Sequence, residues 1–198
     1  MQKNQLVTRV LLAILAAWAI VLRLFDFPIL PFAPFLKLDL SDVAVLLGVL
    51  VKGPIGAMIV AVIRDILNYV RTGGEAGIPL GAFMSVMASL AIVLPFHFYL
   101  KKWKTKWNFK QALIVIVTSV VSLTLVLSVI NYFIALPIYV SVLNFPVPSF
   151  ANFVIGIVVP FNIIKGSIMG IVQVIVVHSF KDYLNKKGWL NAQYQEQV

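Results

Sequence analysis

Cysteine is absent from these 198 residues, so disulfides, thiolate chemistry and cysteine-ligated metals are excluded. Charge is scarce too: Asp, Glu, Lys and Arg together make 12% of the chain, against about 25% in soluble domains. Seven side chains are acidic and two are histidines, His97 and His178, too far apart in the expected topology for a metal pair. No carboxylates are paired for acid–base work, no nucleophile stands beside a base, and no glycine-rich loop is built to cradle a phosphate. The chain therefore reads as neither an enzyme nor an ATPase, and energy for any work must come from a gradient or a partner. An internal repeat is also lacking, which counts weakly against an inverted-repeat secondary transporter.

What is present in excess is apolar side chain, 61% of all residues. That composition describes an all-α integral membrane protein, one compact transmembrane domain over 1–198 with a polar cytoplasmic tail from about residue 181. Apolar runs predict helix 1 at about Leu6–Phe25, helix 4 at Pro79–Leu100, helix 5 at Gln111–Leu136 and helix 6 at Asn152–Phe180. Helix 1 is too long for a signal-peptide core and has no obvious cleavage site, so it is expected to be retained. Between helices 1 and 4, Ser41 and Asp42 look like a cap for an abbreviated helix 2, Val43–Val51. Lys52-Gly53-Pro54 breaks it, and helix 3 resumes over Pro54–Tyr69. The prediction is a bundle of six transmembrane helices.

The net charge of +9 is read as a topology signal rather than a nucleic-acid surface. Lys3, Arg9, Lys52, the cluster Lys101, Lys102, Lys104, Lys106 and Lys110, and Lys181, Lys186 and Lys187 all fall on one side of six spans. The positive-inside rule makes that side cytoplasmic, with both termini there, and Trp103 and Trp107 suit an interfacial belt. Asp26, Lys37, Asp39, Arg71 and Glu75 fall on the other side.

Three polar side chains stand inside apolar runs: Asn131, Asn162 and Lys165. A lysine in a membrane helix costs about 2.5–3.5 kcal/mol on insertion scales, so it normally faces a cavity or a partner. Asn162 shares its helical face. At 1.5 Å per residue, Asn131 lies about 30 Å and Lys165 about 20 Å from the inner helix ends, both in the outer half of the membrane. Two amides and an ammonium match a neutral heterocycle whose edge alternates carbonyl, N–H and ring nitrogen. One lysine without arginine is a thin anion site. Tyr132, Phe133 and Phe161 are candidates to cover a flat ring. The alternative is that the asparagines join helices and Lys165 pairs with an acid, for which Asp65 is the obvious choice in competition with Arg64. Arg64, Asp65 and Asn68 read as a structural network, with a second patch of the ligand pocket as the alternative. The loop Phe27–Asp42, stiffened by the prolines of Phe27–Phe35, would lie over the mouth, with an ordinary extracellular connector as the equal alternative. On helix 1, Ala13, Ala16 and Ala17 form a small-residue face that another helix can approach closely.

With these residues in view, the chain resembles the riboflavin-specific substrate-binding subunit (S component) of the energy-coupling factor (ECF) vitamin transporters. The resemblance runs from helix 1 to helix 6. It is carried by Leu38-Asp-Leu-Ser-Asp-Val43, by Asn131-Tyr-Phe with Leu136-Pro-Ile-Tyr139, and by Pro160-Phe-Asn-Ile-Ile-Lys-Gly166. It implies an outward pocket in which Asn131, Asn162 and Lys165 hold a flavin ring, with Lys37, Leu38 and Gly81 near the ligand. Lys37 replaces a frequent threonine, a departure that would favour an anionic flavin such as FMN, and Ala82 stands where an asparagine is usual. Ala13, Ala16 and Ala17 would dock onto a transmembrane coupling protein, with two cytoplasmic ATPases completing a complex in the bacterial cell membrane. No enzymatic activity, cofactor or nucleic-acid partner is implied. The alternative from another class is an autonomous gradient-driven carrier or facilitator of a small heterocyclic solute, using Asp65 or Lys165 for ion coupling.

Overall fold

The structure, a computed structural model, describes residues 2–33, 35–103 and 107–195. Pro34, Lys104 and Lys106 lie outside them. The described chain is mainly helical, with one short antiparallel ribbon. Helix α1 spans Gln2–Arg23, α2 Ser41–Thr72, α3 Leu80–Lys102, α4 Phe109–Ile130, α5 Leu136–Leu143, α6 Phe150–Phe153 and α7 Val159–Lys186. Counting α4–α5 and α6–α7 as continuous rods, five helices among the described residues are long and apolar enough to cross a membrane. Exposed apolar stripes follow the helical repeat, as in Leu113, Val117, Val121 and Leu125 on α4 and Val10, Ile14 and Trp18 on α1.

Helix α2 is folded in its middle. Lys52 and Gly53 leave the helical region, Gly53 at φ 65° and ψ −155°, which only glycine adopts without strain. Pro54 then opens the second arm, where its missing N–H costs nothing. The break therefore falls at Lys52-Gly53-Pro54, as expected. The arms return on one another: Arg64 meets Ser41 and Asp42, and Gly48 meets Gly56. Ser41 and Asp42 do not cap the first arm, which corrects that expectation. The residue before the helix is Leu40, and the Asp39 carboxylate accepts the Ser41 N–H at 2.7 Å.

Two rods contain wider, π-helical turns, Asn131–Ala135 and Val154–Val158. A proline, Pro137 or Pro160, follows just beyond the end of each. Proline has no N–H to donate to the preceding turn. The residue before each proline instead bonds five back, Leu136 to Asn131 and Val159 to Val154.

The loop between α1 and α2 is pinned by an antiparallel ribbon, β1 (Phe27–Pro28) with β2 (Lys37–Leu38). At the opposite end of the bundle, α7 continues to Lys186 and the chain turns back. Asn191 N–H donates to Leu50 O at 2.8 Å, and Tyr194 Oη lies 2.6 Å from His97 Nδ1. Leu190 and Tyr194 are buried there, and burial pushes the Tyr194 phenol pKa up. Residues 187–195 thus close the end at which α2 breaks.

Gly48 and Gly56 let the arms of α2 touch through backbone: a Cβ on Gly56 would run into the Gly48 carbonyl, and one on Gly48 would stand 2.8 Å from Gly56 O. Gly56→Val is expected to lower stability by about 1–3 kcal/mol through overpacking. Thermal unfolding in detergent checks this, and an unchanged midpoint would contradict backbone-to-backbone packing of the arms.

Candidate functional site

Away from the Lys52–Gly53 break, the helix ends and the proline-rich loop enclose a cavity of about 450 Å3. Its walls come from the end of α1, the loop, the end of α2, the start of α3 and the two π-widened rods. Asn131, Asn162, Lys165, Lys37 and Gly81 all line it, as does Ala82. Leu38 does not: it belongs to the ribbon, and its side chain is buried in the bundle core. Asn131 sits at the start of the first π turn, and its Nδ2 donates to Leu127 O at 2.7 Å. Asn162 follows the second π turn by one helical turn. It is 3% exposed, and its Nδ2 is buried without a hydrogen-bond partner. A buried amide N–H2 left unpaired costs about 1–3 kcal/mol, so this group calls for an acceptor in the cavity.

Phe161 faces the cavity as expected, but Tyr132 and Phe133 do not. They follow Asn131 around the helix and point outward, Phe133 being 70% exposed. The aromatic wall is built from Phe35, Phe145 and Phe153, none of which stands out in the sequence. Phe35 of the loop lies parallel to Phe153 with ring centres 6.2 Å apart, and Phe145 meets both edge-on at 5.6 and 5.9 Å. The loop is therefore held to α6 by ring contacts. In sequence, the stretch Phe145-Pro-Val-Pro-Ser149 reads only as part of an uncharged loop.

Beneath the cavity lies a charged junction. Arg64, 1% exposed, places Nη1 2.7 Å from Ser41 Oγ and 3.1 Å from Asp42 Oδ1. Its Nη2 stands 2.6 Å from Asp65 Oδ2, 2.9 Å from Ser85 Oγ and 2.8 Å from Ser89 Oγ. Arg23 reaches Asp65 at 3.2 Å and Ser85 at 2.7 Å, with Asp39 at 3.9 Å. The structural network read at Arg64 is present, but its members differ. Asn68 is outside it, accepting from Arg71 at 2.9 Å and lining the cavity. Lys165 pairs with Asp42, at 3.8 Å, and not with Asp65, which the two arginines occupy. Sequence reasoning missed Arg23 and Asp42 as site residues: one looks like a helix end, the other like a cap.

The rim carries further charge. Lys37 donates to Asp26 at 3.0 Å, and Glu75 accepts the Gly81 N–H at 3.1 Å. A Cβ on Gly81 would stand 2.5 Å from the Glu75 carboxylate, so a larger residue there would displace that side chain. The small-residue face of α1 divides: Ala13 and Ala17 are exposed, whereas Ala16 is buried inside the bundle and is no part of an outer face. No cluster of three potential metal ligands occurs among the described residues.

A family model described as the substrate-specific component of ECF transporters matches residues 7–177. The riboflavin transporter FmnP of Bacillus subtilis is 29% identical over 187 residues, covering 93% of this chain and 94% of its own. The riboflavin transporter RibU of Staphylococcus aureus is 32% identical over 189 residues, with the same coverage of 93% and 94%. A solved structure described as "Structure and mechanism of the S component of a bacterial ECF transporter" superposes with a TM-score of 0.68 at 31% identity, covering 93% of this chain and 99% of that one.

Removing the arginine should show how far the cavity floor depends on it. Arg64→Leu leaves Asp42 and Asp65 buried with less countercharge and is expected to cost about 3–5 kcal/mol. Arg71→Leu, which removes only an exposed contact with Asn68, should cost no more than about 0.5 kcal/mol. Thermal unfolding of both variants checks the contrast; equal midpoints would contradict it.

Proposed function

The chain belongs to the substrate-specific components of ECF transporters, and from that premise we propose that it is a high-affinity riboflavin-binding subunit for vitamin uptake. It is a multi-pass bacterial membrane protein of a family of transport components, not an enzyme. The observation that carries the ligand reading is Asn162: a buried, unpartnered amide on the wall of a cavity that Asn131 and Lys165 also line. Together they offer the alternating donors and acceptors that the edge of a pyrimidinedione ring requires. Phe161, Phe35 and Phe153 supply apolar surface for a flat ring. The similarity to the riboflavin transporters of B. subtilis and S. aureus supports the same ligand.

On this reading the arms of α2 count as two helices, giving six with an abbreviated second. The end closed by residues 187–195 is cytoplasmic, as the clustered lysines favour. The cavity then opens outward, and Lys37 and Gly81 meet the polyhydroxyl chain of the ligand. Riboflavin is favoured over FMN, because Lys37 is already paired with Asp26 and the rim adds Glu75. Uptake is driven by a transmembrane coupling protein with two cytoplasmic ATPases, and Ala13 and Ala17 are the docking face.

Quenching of flavin fluorescence on titration tests the ligand. Nanomolar affinity is expected, about −12 kcal/mol, and Asn131→Ala, Asn162→Ala and Lys165→Ala should each lose about 1–3 kcal/mol of it. Absence of quenching, with tight binding of an unrelated vitamin, would reject the assignment.

Transport is tested separately. Ala17→Trp should leave binding by the isolated subunit nearly unchanged and abolish cellular uptake. Parallel loss of both, or wild-type uptake, would defeat the docking reading. Concentrative uptake into vesicles without an ATPase would replace the coupled model with an autonomous carrier.

A further inference from the structure

The ligand reading uses Lys165 and leaves the buried carboxylate of Asp42 without a role. A lysine side chain is a compact charge on a flexible four-carbon stem, so something must fix where its ammonium stands. Lys165 is 13% exposed. Of the three carboxylates in the junction, Asp65 is held by Arg64 and Arg23, and Asp39 lies toward Arg23 and the Ser41 N–H. Asp42 is the one that faces Lys165, with Oδ2 3.8 Å from Nζ. That separation is close enough for strong Coulomb attraction and too long for a hydrogen bond.

Asp42 is itself immobilised from several sides. Its Oδ1 accepts from Ser89 Oγ at 2.5 Å and from Arg64 Nη1 at 3.1 Å. Its backbone carbonyl accepts from Gln173 Nε2 at 3.4 Å. Gln173 lies on α7, about two turns from Lys165 on the same helix. The carboxylate and the lysine are thus registered to one another through α7 as well as by charge.

We propose that Asp42 is a positioning residue for ligand capture: anchored by Arg64, Ser89 and Gln173, it aims the Lys165 ammonium at the cavity without consuming its hydrogen bonds. This rests on Lys165 being a ligand donor. Arg64 and Ser89 keep the carboxylate from closing on the lysine, so the ammonium protons stay available to an acceptor in the cavity. The competing account is that Asp42 serves only Arg64 and the fold.

A double-mutant cycle separates the two, using riboflavin titration of Asp42→Asn, Lys165→Met and the double variant, with folding checked by thermal unfolding. Asp42→Asn alone should weaken binding ~10-fold, and when added to Lys165→Met it should weaken it by less than ~2-fold. The visible absorption band of bound riboflavin, which senses charge beside the ring, should shift in Asp42→Asn and shift no further when that change is added to Lys165→Met. Equal weakening by Asp42→Asn in both backgrounds would overturn the proposal and leave the ligand reading intact. Unchanged affinity in Lys165→Met would overturn both. If Asp42→Asn does not fold, Ser89→Ala replaces it, since it frees one side of the carboxylate without changing charge. A loss of ~3-fold confined to the background that retains Lys165 supports the proposal, and an equal loss without Lys165 overturns it.

Discussion

A guanidinium buried inside an apolar bundle has to be surrounded by acceptors, and the placement of Arg64 organises much of the molecule around that demand. Its two terminal nitrogens collect Ser41 and Asp42 from the first arm of α2, Asp65 from the second, and Ser85 and Ser89 from α3. Arg23 brings α1 to the same junction through Asp65 and Ser85, and Lys165 brings α7 through Asp42. Three cations and three carboxylates balance there. A buried network of this kind gives modest net stability, because desolvation offsets attraction, but breaking one member leaves the others stranded. Its greater effect is geometric: it ties four rods together at one level and sets the floor of the cavity.

Above that floor the prolines shape the walls. Pro137 and Pro160 remove one backbone donor each, and the turn before each widens. Asn131 opens one widened turn, and Asn162 stands a turn beyond the other. Local backbone defects therefore lie on both rods that carry Asn131 and Asn162. The mouth is covered by a loop stiffened by proline, pinned by a two-residue ribbon and held by Phe35 against Phe145 and Phe153. Few main-chain bonds secure it, and ring contacts can separate without leaving buried polar groups unpaired. The cover can therefore part from the helices at little cost.

The sequence made the polar wall legible because Asn131, Asn162 and Lys165 interrupt runs where almost nothing else is polar. The break at Lys52-Gly53-Pro54 was legible for a similar reason, since glycine followed by proline leaves a helix few choices. Other features were hidden by ambiguity of a physical kind. Ser-Asp before an apolar run is the signature of a cap, and nothing local reveals that Arg64, more than twenty residues on, claims both side chains. Tyr132 and Phe133 adjoin Asn131 in sequence, but each successive helical residue turns about 100°, which carries them to the outer surface. Phe35, Phe145 and Phe153 meet only after two loops converge. The fold-back of Tyr194 onto His97 joins residues nearly a hundred positions apart, and a polar-looking tail gives no hint of it.

The central claim is that Asn131, Asn162 and Lys165 together read the edge of a flat heterocycle inside this cavity. The most direct measurement is an experimental structure of the protein with riboflavin bound. The account predicts the ring edge within hydrogen-bond distance, about 2.7–3.2 Å, of all three side chains, with the Asn162 amide now paired. A ring bound elsewhere, or bound here with Asn162 still unpaired and Lys165 closed onto Asp42, would contradict it.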